Sequence, residues 1–76
     1  MKMDSIFVQG IGPLALKVAE SVMQVEPGLT VGGLLEQLGI PQKDVMLVFV
    51  DSALATWQTV LRDGSRVCFS PYMCGG

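Results

Sequence analysis

Leu61-Arg62-Asp63-Gly64-Ser65-Arg66-Val67-Cys68-Phe69-Ser70 reads as a tight turn that opens into a closing strand. Asp63-Gly64 supplies the turn, since aspartate bonds its own backbone and glycine accepts a positive φ. From Arg66 to Ser70 the side chains alternate. That period of two predicts Val67 and Phe69 on the core and Arg66, Cys68 and Ser70 on the other face. The strand delivers a tail, Pro71-Tyr72-Met73-Cys74-Gly75-Gly76. Six extended residues reach roughly 20 Å, enough to enter a partner's pocket while the folded body stays outside. The two glycines carry no side chain beyond the α-carbon, so a narrow channel can close around the backbone and bring a reagent to the terminal carbon. By itself a Gly-Gly end is also what a frayed terminus has.

Working back from the turn, Trp57 and Leu61 are core-filling residues, Ala53 to Thr56 is a short strand or loop, and Asp51-Ser52 is a turn. The run Val45 to Val50 is apolar at every position. Such a run is a strand covered on both faces, or covered on one and adhesive on the other. With one helix available to cover it, the second reading is preferred. It leaves part of Met46, Val48 and Val50, or of Val45, Leu47 and Phe49, as a partner-binding patch. Before it, Val31, Leu34, Leu35 and Leu38 stand at i, i+3, i+4 and i+7, the stripe of a helix laid on a core. Thr30 is its N-cap, and Gly39 with Pro41 ends it. Gly32 and Gly33 weaken the helix by up to about 1 kcal/mol each relative to alanine, and their small size points to close approach to the sheet. At the start, Ile6-Phe7-Val8 is a strand that breaks at Gly10-Ile11-Gly12-Pro13. Leu14, Leu16 and Val18 then alternate with Ala15, Lys17 and Ala19 as a second strand, making a hairpin.

A chain of 76 residues is one domain, able to bury only about 60% of its unfolded surface. With 50% hydrophobic and 16% charged residues it is a packed globule rather than a disordered chain. Seven acids against five bases, with no basic cluster, argue against nucleic acid as partner. The longest apolar run is far short of the roughly 20 residues that cross a bilayer, so no membrane partner is expected. The N-terminus lacks the pattern of a secretory signal, which makes the cytoplasm the expected location. Histidine is absent, and Cys68 and Cys74 alone cannot complete a four-ligand zinc site, so no metal is expected. Nor is there a phosphate-binding glycine loop of the Walker type or a Ser/His/Asp set. The chemistry is expected to take place on a partner, and the chain itself is not an enzyme.

The element order, hairpin, helix, strand, minor strand and strand, describes an α+β fold. It is a mixed sheet holding one main helix, the β-grasp or ubiquitin-like arrangement, with the first and last strands pairing centrally. Residues 1–70 form that domain and residues 71–76 a flexible C-terminal tail. Leu61-Arg62-Asp63-Gly64-Ser65-Arg66-Val67, followed by a Phe-x-Pro segment and Gly-Gly, resembles the small sulfur-carrier proteins of the MoaD/ThiS type. These are the small subunit of molybdopterin synthase and the thiamine sulfur carrier. Their pattern is a Leu-x-Asp-Gly-Asp-x-Val turn and strand, one or two prolines and a terminal Gly-Gly. Thr30-Val31-Gly32-Gly33-Leu34-Leu35-Glu36-Gln37-Leu38 is similar to the family's Thr-Val-x-x-Leu-Leu-x-x-Leu. The likeness covers the chain from Leu29 onward, and the first two strands carry little of it. This chain has Asp51-Ser52 where the family has Asn-Gly, Ser65 where it has an acid, and Pro71-Tyr72-Met73 where the molybdopterin branch has Pro-Pro-Val. Cys74 stands where a small residue is usual.

The resemblance implies a protein cosubstrate in molybdopterin or thiamine biosynthesis. An E1-like adenylating enzyme, using ATP and Mg, activates the Gly76 carboxylate, and a persulfide donor converts it to a thiocarboxylate. The sulfur then passes on a synthase large subunit or a thiazole synthase, and the carrier itself holds no cofactor. Gly76, with Gly75 beside it, carries the chemistry, while Phe69, Pro71, Tyr72, Met73 and Cys74 make the partner contacts. The alternative is a ubiquitin-like modifier joined through Gly76 to a lysine. Both share the activation step and differ in the acceptor.

Overall fold

The computed structural model describes residues 2–12, 14, 18 and 20–71. In chain order these form β1 (Asp4–Gly10), β2 (Ser21–Val25), α1 (Val31–Leu38), a 3-10 turn (Gln42–Asp44), β3 (Leu47–Val50), β4 (Ala53–Leu54) and β5 (Arg66–Ser70). The strands make one mixed sheet in the order β2-β1-β5-β3-β4. β5 lies between β1, to which it runs parallel, and β3, to which it runs antiparallel. The first and last strands therefore pair at the centre, as the β-grasp arrangement requires. Among the described residues, no helix is long and apolar enough to cross a membrane.

The turn before β5 is fastened to β1. Gly64 donates its N–H to the Ser5 carbonyl at 2.7 Å, Asp63 Oδ1 accepts the Ser5 N–H at 2.8 Å, and Phe7 N–H reaches the Ser65 carbonyl at 2.8 Å. Ser65 itself is buried, and its hydroxyl accepts the Arg62 N–H at 2.9 Å. A serine hydroxyl thus closes this turn at the position where the family pattern has an acid.

The helix begins where its cap predicts. Thr30 Oγ1 accepts the Gly33 N–H at 3.1 Å, and Gly39 ends the helix in the left-handed region at φ 73°. Val31, Leu34 and Leu35 are buried against Ile6, Val8, Val25, Val48, Leu61, Val67 and Phe69, which form one apolar core between the helix and one face of the sheet. The glycines at the helix start serve a different contact from the one the sequence suggests. Gly32 donates its N–H to the Trp57 carbonyl at 2.9 Å, and a Cβ built on it would stand 3.2 Å from that oxygen. The close approach is to the segment before β5, not to the sheet. That segment is stitched to the helix entrance through Val31 N–H to Thr59 O at 3.0 Å and Leu61 N–H to Leu29 O at 2.8 Å. Trp57 and Leu61 both pack on the core, as expected of filling residues.

The second strand is not where alternation put it. β2 spans Ser21–Val25 and pairs antiparallel with β1, Phe7 opposite Val22. Leu14 and Val18 are buried, but Val18 N–H donates to the Leu14 carbonyl at 2.8 Å, an i to i+4 contact of a helical turn. Positions four apart share a face under both a period of two and a period of 3.6, so two buried ends fit either reading. Ala15, Leu16, Lys17 and Ala19 lie outside the described residues. Gly10 permits the return of this loop, because a Cβ there would stand 2.6 Å from the Leu14 carbonyl oxygen.

Candidate functional site

β5 carries the backbone to the tail as the middle strand of the sheet, held on both sides to its last residue. Ile11 N–H donates to the Phe69 carbonyl at 2.9 Å and Met46 N–H to the Ser70 carbonyl at 2.8 Å. Pro71 follows, half-buried, at the point of exit. Tyr72, Met73, Cys74, Gly75 and Gly76 lie outside the described residues, so no geometry is assigned to them. Phe69, named with the tail as a partner contact, is fully buried in the core and presents no side-chain surface. It holds the strand from which the tail leaves. Ser70 pairs with Leu47 and so lies on the open side, as alternation puts it, but it is buried there rather than exposed.

The face of the sheet opposite the helix forms the other half of the site. Cross-strand register aligns Val22, Phe7 and Arg66 in one row. It aligns Gln9, Cys68, Phe49 and Leu54 in the next. Phe7 is 47% exposed, Val22 57% and Leu54 66%, an unusual density of large apolar side chains on the solvent side of so small a domain. A shallow depression of about 570 Å³ runs between the rows, lined by Phe7, Gln9, Phe49, Arg66 and Cys68 among others. Within it Gln9 Nε2 approaches Cys68 Sγ at 3.6 Å, and the Arg66 guanidinium lies 5.3 Å above the Phe7 ring centroid.

The apolar run leaves part of the second alternating set, Leu47 and Phe49, on the open side, together with Met46 from the first. In β3, Val48 is buried and Val50 packs on the core, while Leu47 and Phe49 share the open side. Val45 and Met46 precede the ladder, after the 3-10 turn, and follow their own geometry: Val45 is buried and Met46 is 53% exposed. Met46 and the 41% exposed Ile11 flank the tail's exit, tying the apolar face to the point from which a reactive end would be offered. Alternation put Arg66 and Cys68 on this face, while sequence reasoning missed Phe7, Val22 and Leu54 as members of it. One signal was available: in a strand Ile6-Phe7-Val8 buried on one side, alternation forces the middle residue outward.

Comparison with known proteins places this geometry. The ThiS family model matches residues 11–76. No curated protein matches the chain in sequence. Among solved structures, small archaeal modifier protein 1 of Haloferax volcanii is similar at a TM-score of 0.75 and 15% identity, covering 92% of this chain and 99% of its own. A Pyrococcus furiosus protein described as molybdopterin converting factor, subunit 1, is similar at 0.74 and 17% identity, covering 92% and 99%. Urm1 of Trypanosoma brucei is similar at 0.64 and 24% identity, covering 100% and 99%. At these identities the structural likeness speaks for the fold, while the family model, matching residues 11–76, speaks for membership of the family. The chain belongs to the ThiS family and has its ubiquitin-like β-grasp fold.

Proposed function

We propose that this chain is a sulfur carrier whose Gly76 carboxylate is adenylated and then converted to a thiocarboxylate, for sulfur transfer in biosynthesis of a molybdopterin or thiamine type of cofactor. The observation that carries the reading is the family match, which runs through Gly75-Gly76 at residue 76. A carboxylate is a poor electrophile because its leaving group would be oxide. In the proposed sequence a carboxylate oxygen of Gly76 attacks the α-phosphorus of ATP and pyrophosphate leaves, giving an acyl-adenylate. The outer sulfur of a persulfide then attacks the carbonyl carbon, AMP leaves, and an acyl disulfide forms. A second thiol of the sulfur donor's system reduces that disulfide, releasing the thiocarboxylate and forming a disulfide in turn. ATP, Mg and the persulfide act on partner proteins, an E1-like adenylating enzyme and a sulfur donor. The product is consumed on a synthase large subunit or a thiazole synthase, all in the cytoplasm.

The chain's own contribution is positional. A tail issuing from a strand hydrogen-bonded on both sides starts from a fixed point, so docking of the open face sets where Gly76 is delivered. In this reading Pro71, Tyr72, Met73 and Cys74 thread the enzyme's channel. The likeness to small archaeal modifier protein 1 favours a second reading, conjugation of Gly76 to a lysine amine after the same activation. The experiment is ATP-dependent pyrophosphate exchange by the cognate E1-like enzyme with three chains: one ending at Gly76, one lacking Gly76, and one with a residue appended after it. Exchange supported by the first alone is the expected result. Equal exchange with the other two would overturn the assignment of Gly76.

A further inference from the structure

We propose that Arg66 is the residue by which the open face selects its partner, and that the adenylating enzyme docking there presents an aspartate or glutamate to the Arg66 guanidinium. This rests on the reading of the chain as an activated carrier, and it names the chemistry of the surface that recognises it. Arg66 stands on β5 between apolar neighbours, its guanidinium above the Phe7 ring and its side chain lining the depression with Phe49 and Cys68. The acid nearest in register is already engaged. Asp51 Oδ1 accepts the Arg66 backbone N–H at 2.9 Å, and Asp51 N–H donates to the Arg66 carbonyl at 2.9 Å. Glu20 lines the same depression, but among the described residues no carboxylate forms an ion pair with the guanidinium.

Docking an apolar surface on Phe7, Val22, Phe49 and Leu54 removes Arg66 from water. An arginine desolvated without a counter-charge opposes association more than the surrounding apolar contact favours it, so a partner that covers this face must bring an anion. The guanidinium lies 5.3 Å from the Phe7 ring centroid on an exposed side chain, and a planar guanidinium is the group that takes a carboxylate through two parallel hydrogen bonds. A phosphate backbone fits less well. One arginine set in apolar surroundings, on a chain with seven acids and five bases, lacks the clustered cations that binding to phosphate requires. Arginine beside exposed aromatic residues is also the composition of an interface centre.

The test measures dissociation constants by calorimetry between the full chain and the recombinant E1-like adenylating enzyme of the source organism. Arg66→Glu, Arg66→Lys, Glu20→Gln and Lys43→Glu are compared, each first shown to keep its urea midpoint. Lys43 is an exposed cation in the 3-10 turn, outside the sheet. Arg66→Glu is expected to weaken binding on the order of 100-fold, as for a reversed charge in a desolvated pair. Arg66→Lys, which keeps the charge and loses the fork, is expected to cost roughly 10-fold. Lys43→Glu is expected to stay within about threefold, since an exposed charge outside the covered face contributes little, and Glu20→Gln, which removes a charge of the same sign as the incoming carboxylate, is expected not to weaken binding. Reversing the enzyme's facing acid to arginine should restore binding by Arg66→Glu. The inference is overturned if Arg66→Glu binds no worse than Lys43→Glu, or if Glu20→Gln weakens binding as much as Arg66→Glu. In those outcomes exchange by the unchanged chain continues and the carrier reading stands. Failure of the unchanged chain to bind or exchange overturns both.

Discussion

Leu35→Ala tests whether the helix is held by its apolar stripe. Leu35 is 1% exposed and packs with Val31 and Leu34 in the core beneath the sheet. Removing three carbons forfeits about 2.4 kcal/mol of transfer free energy at about 0.8 kcal/mol per carbon. The cavity left behind brings the expected loss to about 2 to 5 kcal/mol. A chain of 76 residues at 0.05 to 0.15 kcal/mol each has about 4 to 11 kcal/mol in all. The substitution therefore removes a large share of the total. The helix has little else to sustain it, since it is 8 residues long with two glycines in its first turn. Equilibrium urea unfolding is the assay. With a slope of about 1 kcal/mol per molar for a domain this small, the midpoint should fall by about 2 M or more. The exposed neighbour Glu36→Ala is expected to move stability by less than about 0.5 kcal/mol. A Leu35→Ala midpoint within experimental error of the Glu36→Ala midpoint would refute the packing argument.

Ser52→Gly is expected to stabilise the domain by up to about 1 kcal/mol, because Asp51 and Ser52 hold φ of 53° and 69°, a region that costs a side chain about 1 to 2 kcal/mol. An unchanged or lower unfolding midpoint would show that this turn stores no strain, and Asp51 is left in place because its carboxylate holds the Arg66 amide. Cys74→Ser is expected to retain thiocarboxylate formation. A thiol two residues before the end must fold the chain back to reach the terminal carbon. Mass spectrometry of the product of enzyme, ATP and sulfur donor checks this, and loss of thiocarboxylate with adenylation intact would make Cys74 a relay.

The parts of the fold legible in the sequence are those where one period and one set of punctuation agree. Thr30, the leucine stripe and Gly39 bracket the helix to the residue, and Asp63-Gly64 with alternating Val67 and Phe69 gives β5. The second strand was illegible for two reasons. Leu14 and Val18 satisfy both periods, and the true strand, an edge, puts Val22 into solvent and only half-buries Met23. Its weak alternation reflects an open face that is itself apolar. The same cause hides the site. An open face made of Phe7, Val22, Phe49 and Leu54 has the composition of core in one dimension; alternation turns Phe7 away from Ile6 and Val8, and cross-strand register gathers the four residues on one side. Ser70 shows the converse, a polar residue of the open side that is buried there opposite Leu47.

The most direct test of the carrier reading is the intact mass of the chain, ending at Gly76, after purification from its own cells and again after incubation with the E1-like enzyme, ATP and a persulfide donor. The account predicts a species in which sulfur replaces one oxygen of the Gly76 carboxylate, absent when ATP is withheld. Conversion instead to a covalent adduct on a protein lysine, with no sulfur-substituted form detected under either condition, would contradict it.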